Sequence, residues 1–146
     1  MGKAPQLSQG GNGGAYFLKG VDGKPAAVFK PADEEPFAPN NPRGHRSSLN
    51  GEGMRKGTKA GEGATREVAA YLLDHGGFAG VPATSLVHLT DGNGQDDDDG
   101  KLGSLQEYVE NTAEAEGYGP SMFPTDEVHR ITVLDIRLAN TDRNAG

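Results

Sequence analysis

The stretch Ala26-Ala27-Val28-Phe29-Lys30-Pro31-Ala32-Asp33-Glu34-Glu35-Pro36 constrains the fold more than any other part of the chain. Its first half is apolar and β-prone and is closed by a proline that cannot donate to a ladder, so it predicts a short, mostly buried strand ending at Lys30. A lysine beside such a strand needs an anion to meet. Upstream stand Gly10-Gly11-Asn12-Gly13-Gly14, a second strand-like run, Ala15-Tyr16-Phe17-Leu18-Lys19, and a turn at Asp22-Gly23. Pro5-Gln6-Leu7-Ser8-Gln9 reads as a short first strand, which sets the glycines between two antiparallel strands. Glycine loop, hairpin and terminal lysine form the order in which backbone amides and one ammonium share a nucleotide's phosphates, making this a candidate ATP site. The same glycines also fit a plain hairpin turn or a tail.

Little of the chain is available for a core. Of 146 residues 34% are hydrophobic, with 23 Gly and 9 Pro, which predicts one loop-rich domain or part of a larger one whose remainder completes the core. A net charge of −7, fed by Asp96-Asp97-Asp98-Asp99, excludes a basic footprint for nucleic acid. The absence of cysteine excludes disulfides and thiolate zinc sites and fits a reducing compartment. No apolar run is long enough to span a bilayer, and Met1-Gly2-Lys3-Ala4-Pro5 is no signal peptide. Gln6 stands where N-myristoylation at Gly2 needs Ser or Thr. The expectation is a soluble, cytoplasmic chain that meets membranes at most peripherally.

From Phe37 to Gly63 the turn signals Asn40-Asn41-Pro42-Arg43-Gly44 and Gly51-Glu52-Gly53 predict a long loop, whose Arg55, Lys56 and Lys59 suit either phosphate contacts or solvent. Ala64 to His75 is a helix stopped by Gly76-Gly77, with Val68, Ala69, Leu72 and Leu73 as its apolar stripe. Glu67 lies beside that stripe, placed either to reach Lys30 or to face water. Val81 to Leu89 predicts a strand, and Thr90 to Gly100 a solvent loop without calcium-ligand spacing. Gly103 to Val109 is a further strand that can offer free backbone groups to a planar base, or is a plain edge strand. Pro124-Thr125-Asp126-Glu127 starts a helix capped by Thr125 or Asp126, with Val128, Ile131, Leu134 or Asp135, and Leu138 at helical spacing. It delivers the polar loop containing Asp142, which reads as a proton acceptor for an attacking hydroxyl or as a surface turn.

Taken in order, these segments resemble the type II phosphatidylinositol 4-kinases, gamma class, of the PI3/PI4-kinase catalytic domain family. The likeness is carried by Gly10 to Gly14 with Tyr16-Phe17, Val28-Phe29-Lys30-Pro31 with Asp33-Glu34-Glu35-Pro36, and Asn40-Asn41-Pro42-Arg43-Gly44. It continues through Gly61-Glu62-Gly63, Arg66-Glu67-Val68-Ala69-Ala70-Tyr71, Gly80-Val81-Pro82 and Gly103-Ser104-Leu105-Gln106 to Leu134-Asp135-Ile136-Arg137-Leu138-Ala139-Asn140 with Asp142-Arg143. It covers nearly the whole chain.

The resemblance implies an α+β fold. Residues 1–111 would be a protein-kinase-like small lobe and hinge, with a twisted antiparallel sheet and one helix, and 112–146 would begin the large lobe. It implies ATP-dependent phosphorylation of phosphatidylinositol at the inositol 4-hydroxyl, with Mg2+. The glycine loop and Lys30 would hold the phosphates, Glu67 would pair with Lys30, and Gln106-Glu107-Tyr108-Val109 would be the hinge whose backbone meets adenine. Asp142 would orient or deprotonate the inositol hydroxyl. Asn12 stands where family members often carry Ser. In the family an Asn and then a metal-binding Asp follow beyond the position of Gly146. The chain is therefore expected to end within the catalytic loop and to be inactive in isolation, with no metal ligands of its own. Ser/Thr protein phosphorylation and a non-catalytic nucleotide-binding remnant are the alternatives.

Overall fold

A computed structural model describes residues 5–46, 51–54, 56–90, 100–111, 115–140 and 143. The chain is a mixed α/β structure with five antiparallel strands in one sheet and two α-helices. The strands are β1 (Gln6–Leu7), β2 (Tyr16–Lys19), β3 (Pro25–Pro31), β4 (Thr84–Leu89) and β5 (Lys101–Glu107), ordered β1-β2-β3-β5-β4 across the sheet. Helix α1 (Gly63–Leu73) joins β3 to β4 through the long loop, and α2 (Thr125–Leu138) follows β5.

Register decides which side chains share a face, because directly paired residues project to the same side. Val28 pairs with Gln106, Lys30 with Ser104, and Thr84 with Gln106, so these five residues stand on one face. Phe29, Leu105 and Tyr16 occupy the other. Phe29 is buried there because Gly103 admits its ring. A Cβ on Gly103 would lie 2.6 Å from the ring's Cε2, closer than carbon atoms approach. Buried hydrophobics among the described residues are only Phe29, Ala38, Ala64 and Leu134, as the composition foretold.

Polar groups therefore carry much of the packing. Glu34 ends a 3-10 turn, Ala32–Glu34, and is 5% exposed. Its carboxylate accepts a hydrogen bond from the Tyr16 hydroxyl at 2.6 Å and pairs with the Lys101 ammonium. Burial and the neighbouring Glu34 push the Tyr16 hydroxyl up to about 12. Burial pulls the Lys101 ammonium down, but its bond to Glu34 outweighs that and leaves it above its ordinary value.

Several expectations need correction. The strand foreseen from Val81 begins at Thr84, since Asp74 takes the Val81 N–H at 2.9 Å and Pro82 has none to give. Leu72 and Leu73 are exposed, and the packed side of α1 runs through Ala64, Glu67 and Val68. On that side the Lys30 ammonium donates to Glu67. Helix α2 has Pro124 at its N-cap and no side-chain cap from Thr125 or Asp126, although Asp126 and Glu127 still complement the dipole in its first turn. Leu134 is buried and Ile131, Asp135 and Leu138 are partly so, while Val128 is exposed. The acidic run at 96–99 lies outside the described residues.

Asp74 caps the C-terminal end of α1 and accepts the N–H groups of Ala79 at 2.7 Å and Val81 at 2.9 Å. Burial alone would raise its carboxyl, but those backbone donors outweigh it and hold the group below the usual 3.8. A carboxyl depressed in the folded state stabilises the fold above its unfolded value of about 3.9, and that contribution disappears as pH falls through the lower folded value. Asp74→Asn is expected to cost roughly 2 kcal/mol at neutral pH. Urea unfolding at pH 7 and pH 3 should show the gap between variant and parent narrowing in acid.

Candidate functional site

Lys30 stands one residue from the end of β3, and its ammonium lies 2.6 Å from Glu67 Oε1 on α1. Both side chains are about one-third exposed. The second oxygen of Glu67 accepts from the Gln106 side-chain amide at 3.5 Å, and the same amide donates to Thr84 Oγ1 at 3.0 Å. The Thr84 hydroxyl in turn donates to the Pro82 carbonyl at 2.8 Å. A continuous hydrogen-bonded chain thus orients the Lys30–Glu67 pair from β4 and β5. Next to Lys30 across the ladder, the Ser104 hydroxyl is fully buried and has no partner among the described residues.

The glycine loop connects β1 to β2, where Gln6 pairs with Phe17 and Leu7 with Tyr16. Gly10, Gly11, Gly13 and Gly14 face a cleft of about 1130 Å³ together with Lys30 and Glu67. Gly13 and Gly14 are small for a second reason: both back onto the turn after β3. A Cβ on Gly13 would lie 3.2 Å from Pro36 Cδ, and one on Gly14 would lie 2.8 Å from Glu34 Cβ. The Gly14 N–H donates to the Glu34 carbonyl at 2.9 Å, so it does not face a ligand. Glu35 accepts from the N–H groups of Gly61 and, at 2.6 Å, Gly63, which seats the start of α1 at the cleft.

Further cations meet this cleft. Lys56 and Arg66 line it, Arg66 pairing with Glu62 at 3.7 Å. Of the basic cluster foreseen in the long loop, Lys59 is exposed outside the cleft wall and Arg55 lies outside the described residues. The opposite wall comes from the end of α2, where Ala139 adopts a left-handed φ of 50° and Asn140 and Arg143 follow. Asp135 binds both of the latter, accepting from Asn140 Nδ2 at 2.9 Å and from Arg143 Nη2 at 2.8 Å. The Arg143 guanidinium holds the Asp135 carboxyl below its ordinary value. Asp142 itself lies outside the described residues.

Backbone pairing already engages part of the stretch read as the hinge. Gln106 is paired on both sides within the sheet, the Glu107 N–H donates to Ala83 at 2.8 Å, and the Tyr108 N–H donates to Ala26 at 3.0 Å. These residues do not offer those donors to a base, and Val109 is the first position beyond the last pairing. Gln106 contributes through its side chain instead. Tyr108 packs edge-on against Phe17, with ring centroids 5.8 Å apart. Sequence reading missed Ser104 and Thr84, whose signal was only their register opposite Lys30 and Gln106. It quoted Asn41 and Arg43 without a role, and both lie against the glycine loop.

Comparison with known proteins gives the family. The chain matches the family described as phosphatidylinositol 3- and 4-kinase over residues 12–146, and it belongs to that family. Among its relatives it is 52% identical over 160 aligned residues to phosphatidylinositol 4-kinase gamma 4 of Arabidopsis thaliana, covering 99% of this chain and 28% of that protein. It is 50% identical to phosphatidylinositol 4-kinase gamma 4 of rice, Oryza sativa subsp. japonica, with 99% and 27% covered, and 48% identical to gamma 3 of Arabidopsis thaliana, with 99% and 29% covered. The chain thus spans little more than a quarter of these curated relatives.

The family implies ATP and a divalent metal. The described residues fit ATP: an ammonium, glycine backbone and an unpartnered buried hydroxyl meet at one cleft. Among the described residues no three carboxylate or imidazole side chains converge as ligands for Mg2+. Gly14→Ala is expected to displace the loop from Glu34 and destabilise the chain by about 2 kcal/mol. Its urea midpoint measures this, and an unchanged midpoint would mean that the Glu34 side chain yields freely.

Proposed function

We propose that this chain carries the nucleotide-binding part of a lipid kinase that transfers phosphate from ATP to the 4-hydroxyl of phosphatidylinositol. The single observation that supports it most is the 2.6 Å contact of Lys30 with Glu67 at a cleft walled by glycines. An ammonium held by one carboxylate at a glycine-lined wall is suited to the β and γ phosphates of a nucleotide. The likeness to curated 4-kinases supports the acceptor. In this reading the five-stranded sheet with α1 is a kinase-like small lobe over residues 1–111, and 112–146 begin the large lobe.

The proposed chemistry is an in-line transfer. The inositol oxygen bonds to the γ phosphorus, the bond from that phosphorus to the β–γ bridging oxygen breaks, ADP departs, and the hydroxyl proton passes to the Asp142 carboxylate. Lys30 and the glycine N–H groups offset negative charge on the phosphates, which is the main service a protein performs in such a transfer. Val109 is the proposed backbone donor to adenine. No helix among the described residues is long and apolar enough to cross a membrane, so the lipid would be met at a bilayer surface.

Lys30→Met is expected to weaken ATP binding by at least about tenfold, as loss of a charge-assisted contact should, and Glu67→Gln to weaken it less. Calorimetric titration with ATP reads both. Unchanged affinity in Lys30→Met would overturn the phosphate assignment. Radiolabelled transfer from ATP, offered phosphatidylinositol vesicles and a generic protein side by side, tests the acceptor; label on protein alone would remove the lipid reading.

A further inference from the structure

Arg43 lies behind the glycine loop and spends its guanidinium on backbone. Its Nη2 donates to the carbonyls of Ser8 at 2.6 Å and Gly10 at 2.9 Å, Nη1 to Gln9 at 3.3 Å, and Nε to Gly13 at 3.3 Å. Asn41, 1% exposed, seats it. The Asn41 Oδ1 accepts the Arg43 N–H at 2.9 Å, while Nδ2 donates to the Asn12 carbonyl at 2.8 Å. The carbonyls of residues 8, 9, 10, 12 and 13 are therefore all committed to these two side chains.

That commitment fixes the direction of the amides. In a trans peptide the carbonyl of one residue runs antiparallel to the N–H of the next, and no cis peptide is present among the described residues. The N–H groups of Gln9, Gly10, Gly11, Gly13 and Gly14 must then point away from the side chains that hold the carbonyls. Gly10 finds Ser8 Oγ at 3.3 Å and Gly14 finds the Glu34 carbonyl. Gly11 and Gly13, both at the cleft wall, have no acceptor among the described residues. Gly11 holds a φ of 84°, which a side chain would resist.

Charge adds a second, independent observation. Lys30, Arg66 and Arg143 each pair with a carboxylate, but Arg43 has none within ion-pair distance among the described residues. A full positive charge therefore stands behind the loop, held by carbonyl oxygens and by no carboxylate among the described residues. We propose that Arg43, held by Asn41, is a positioning residue for the phosphates of the bound nucleotide: it aims the Gly11 and Gly13 N–H groups at the ligand and makes that side of the cleft electropositive without touching it. The proposal rests on the nucleotide reading and extends it to a residue outside the glycine loop.

The test compares ligands with and without phosphate. The 146-residue chain and its Arg43→Met and Arg43→Lys variants are titrated by calorimetry with ATP and with adenosine, and melting curves are recorded for each. In Arg43→Met the ATP affinity should fall on the order of tenfold while adenosine affinity stays within about twofold of the parent. Arg43→Lys keeps the charge and loses the forked carbonyl contacts, so it should fall between. Equal ATP affinity in parent and Arg43→Met, or a matching loss for both ligands in a folded variant, overturns the proposal. If Arg43→Met fails to fold, the two ligands applied to Arg43→Lys decide by the same criterion. A parent chain that binds neither ligand would instead defeat the nucleotide reading, and this proposal with it.

Discussion

The buried carboxylate of Glu34 is the interaction on which the rest of the structure depends. It lies where the chain leaves β3, and its oxygens hold Tyr16 of β2 and Lys101 of β5, while its carbonyl takes Gly14 and the Asn41 amide. Sheet, glycine loop and long loop are thereby tied at one residue. Removing a donor would leave the Glu34 carboxylate, 5% exposed, short of a partner at a cost of about 1–3 kcal/mol, with Lys101 itself reaching solvent. In a chain with so few buried hydrophobic side chains, a polar hub of this kind replaces part of what a larger core would supply.

The same economy shapes the electrostatics of the cleft. The chain carries −7 overall, yet cations line the cavity and another stands behind its glycine wall. Each lining cation except Lys56 is held by a named carboxylate, which keeps its position and moderates its charge. An anionic ligand would meet pre-oriented groups in an otherwise acidic molecule, so its attraction is local and falls off over about 10 Å at ordinary salt.

Much of this was legible from the residues alone. The strand closed by Lys30-Pro31, the glycines between two strands and the spacing of Ile131, Leu134 and Leu138 all depend on local rules, and the structure keeps them, whereas α1 ends at Leu73, three residues short of the Gly76-Gly77 stop. What escaped depends on contacts distant in sequence. Leu72 and Leu73 looked like the inner stripe of α1 because hydrophobicity was the only guide, whereas the side that packs carries Ala64 and the Glu67 partner of Lys30. The pairing of the Glu107 and Tyr108 N–H groups with Ala83 and Ala26 could not be read from 106–109 alone. Asn41 and Arg43 looked like turn residues since their partners lie about thirty positions away. Gly13 and Gly14 were rightly singled out, but part of the demand for them comes from Glu34 to Pro36 pressing from behind.

Ala139 restricts the path of the chain that leaves α2. An alanine at a φ of 50° sits in a conformation that side-chain-bearing residues adopt only at a cost of roughly 1–2 kcal/mol, and it persists because Asn140 is bonded to Asp135 through both backbone and side chain. A glycine would reach the same shape freely and many others besides. With alanine, the exit from the helix has a restricted set of headings, and one aspartate holds both Asn140 and Arg143 against the cleft wall.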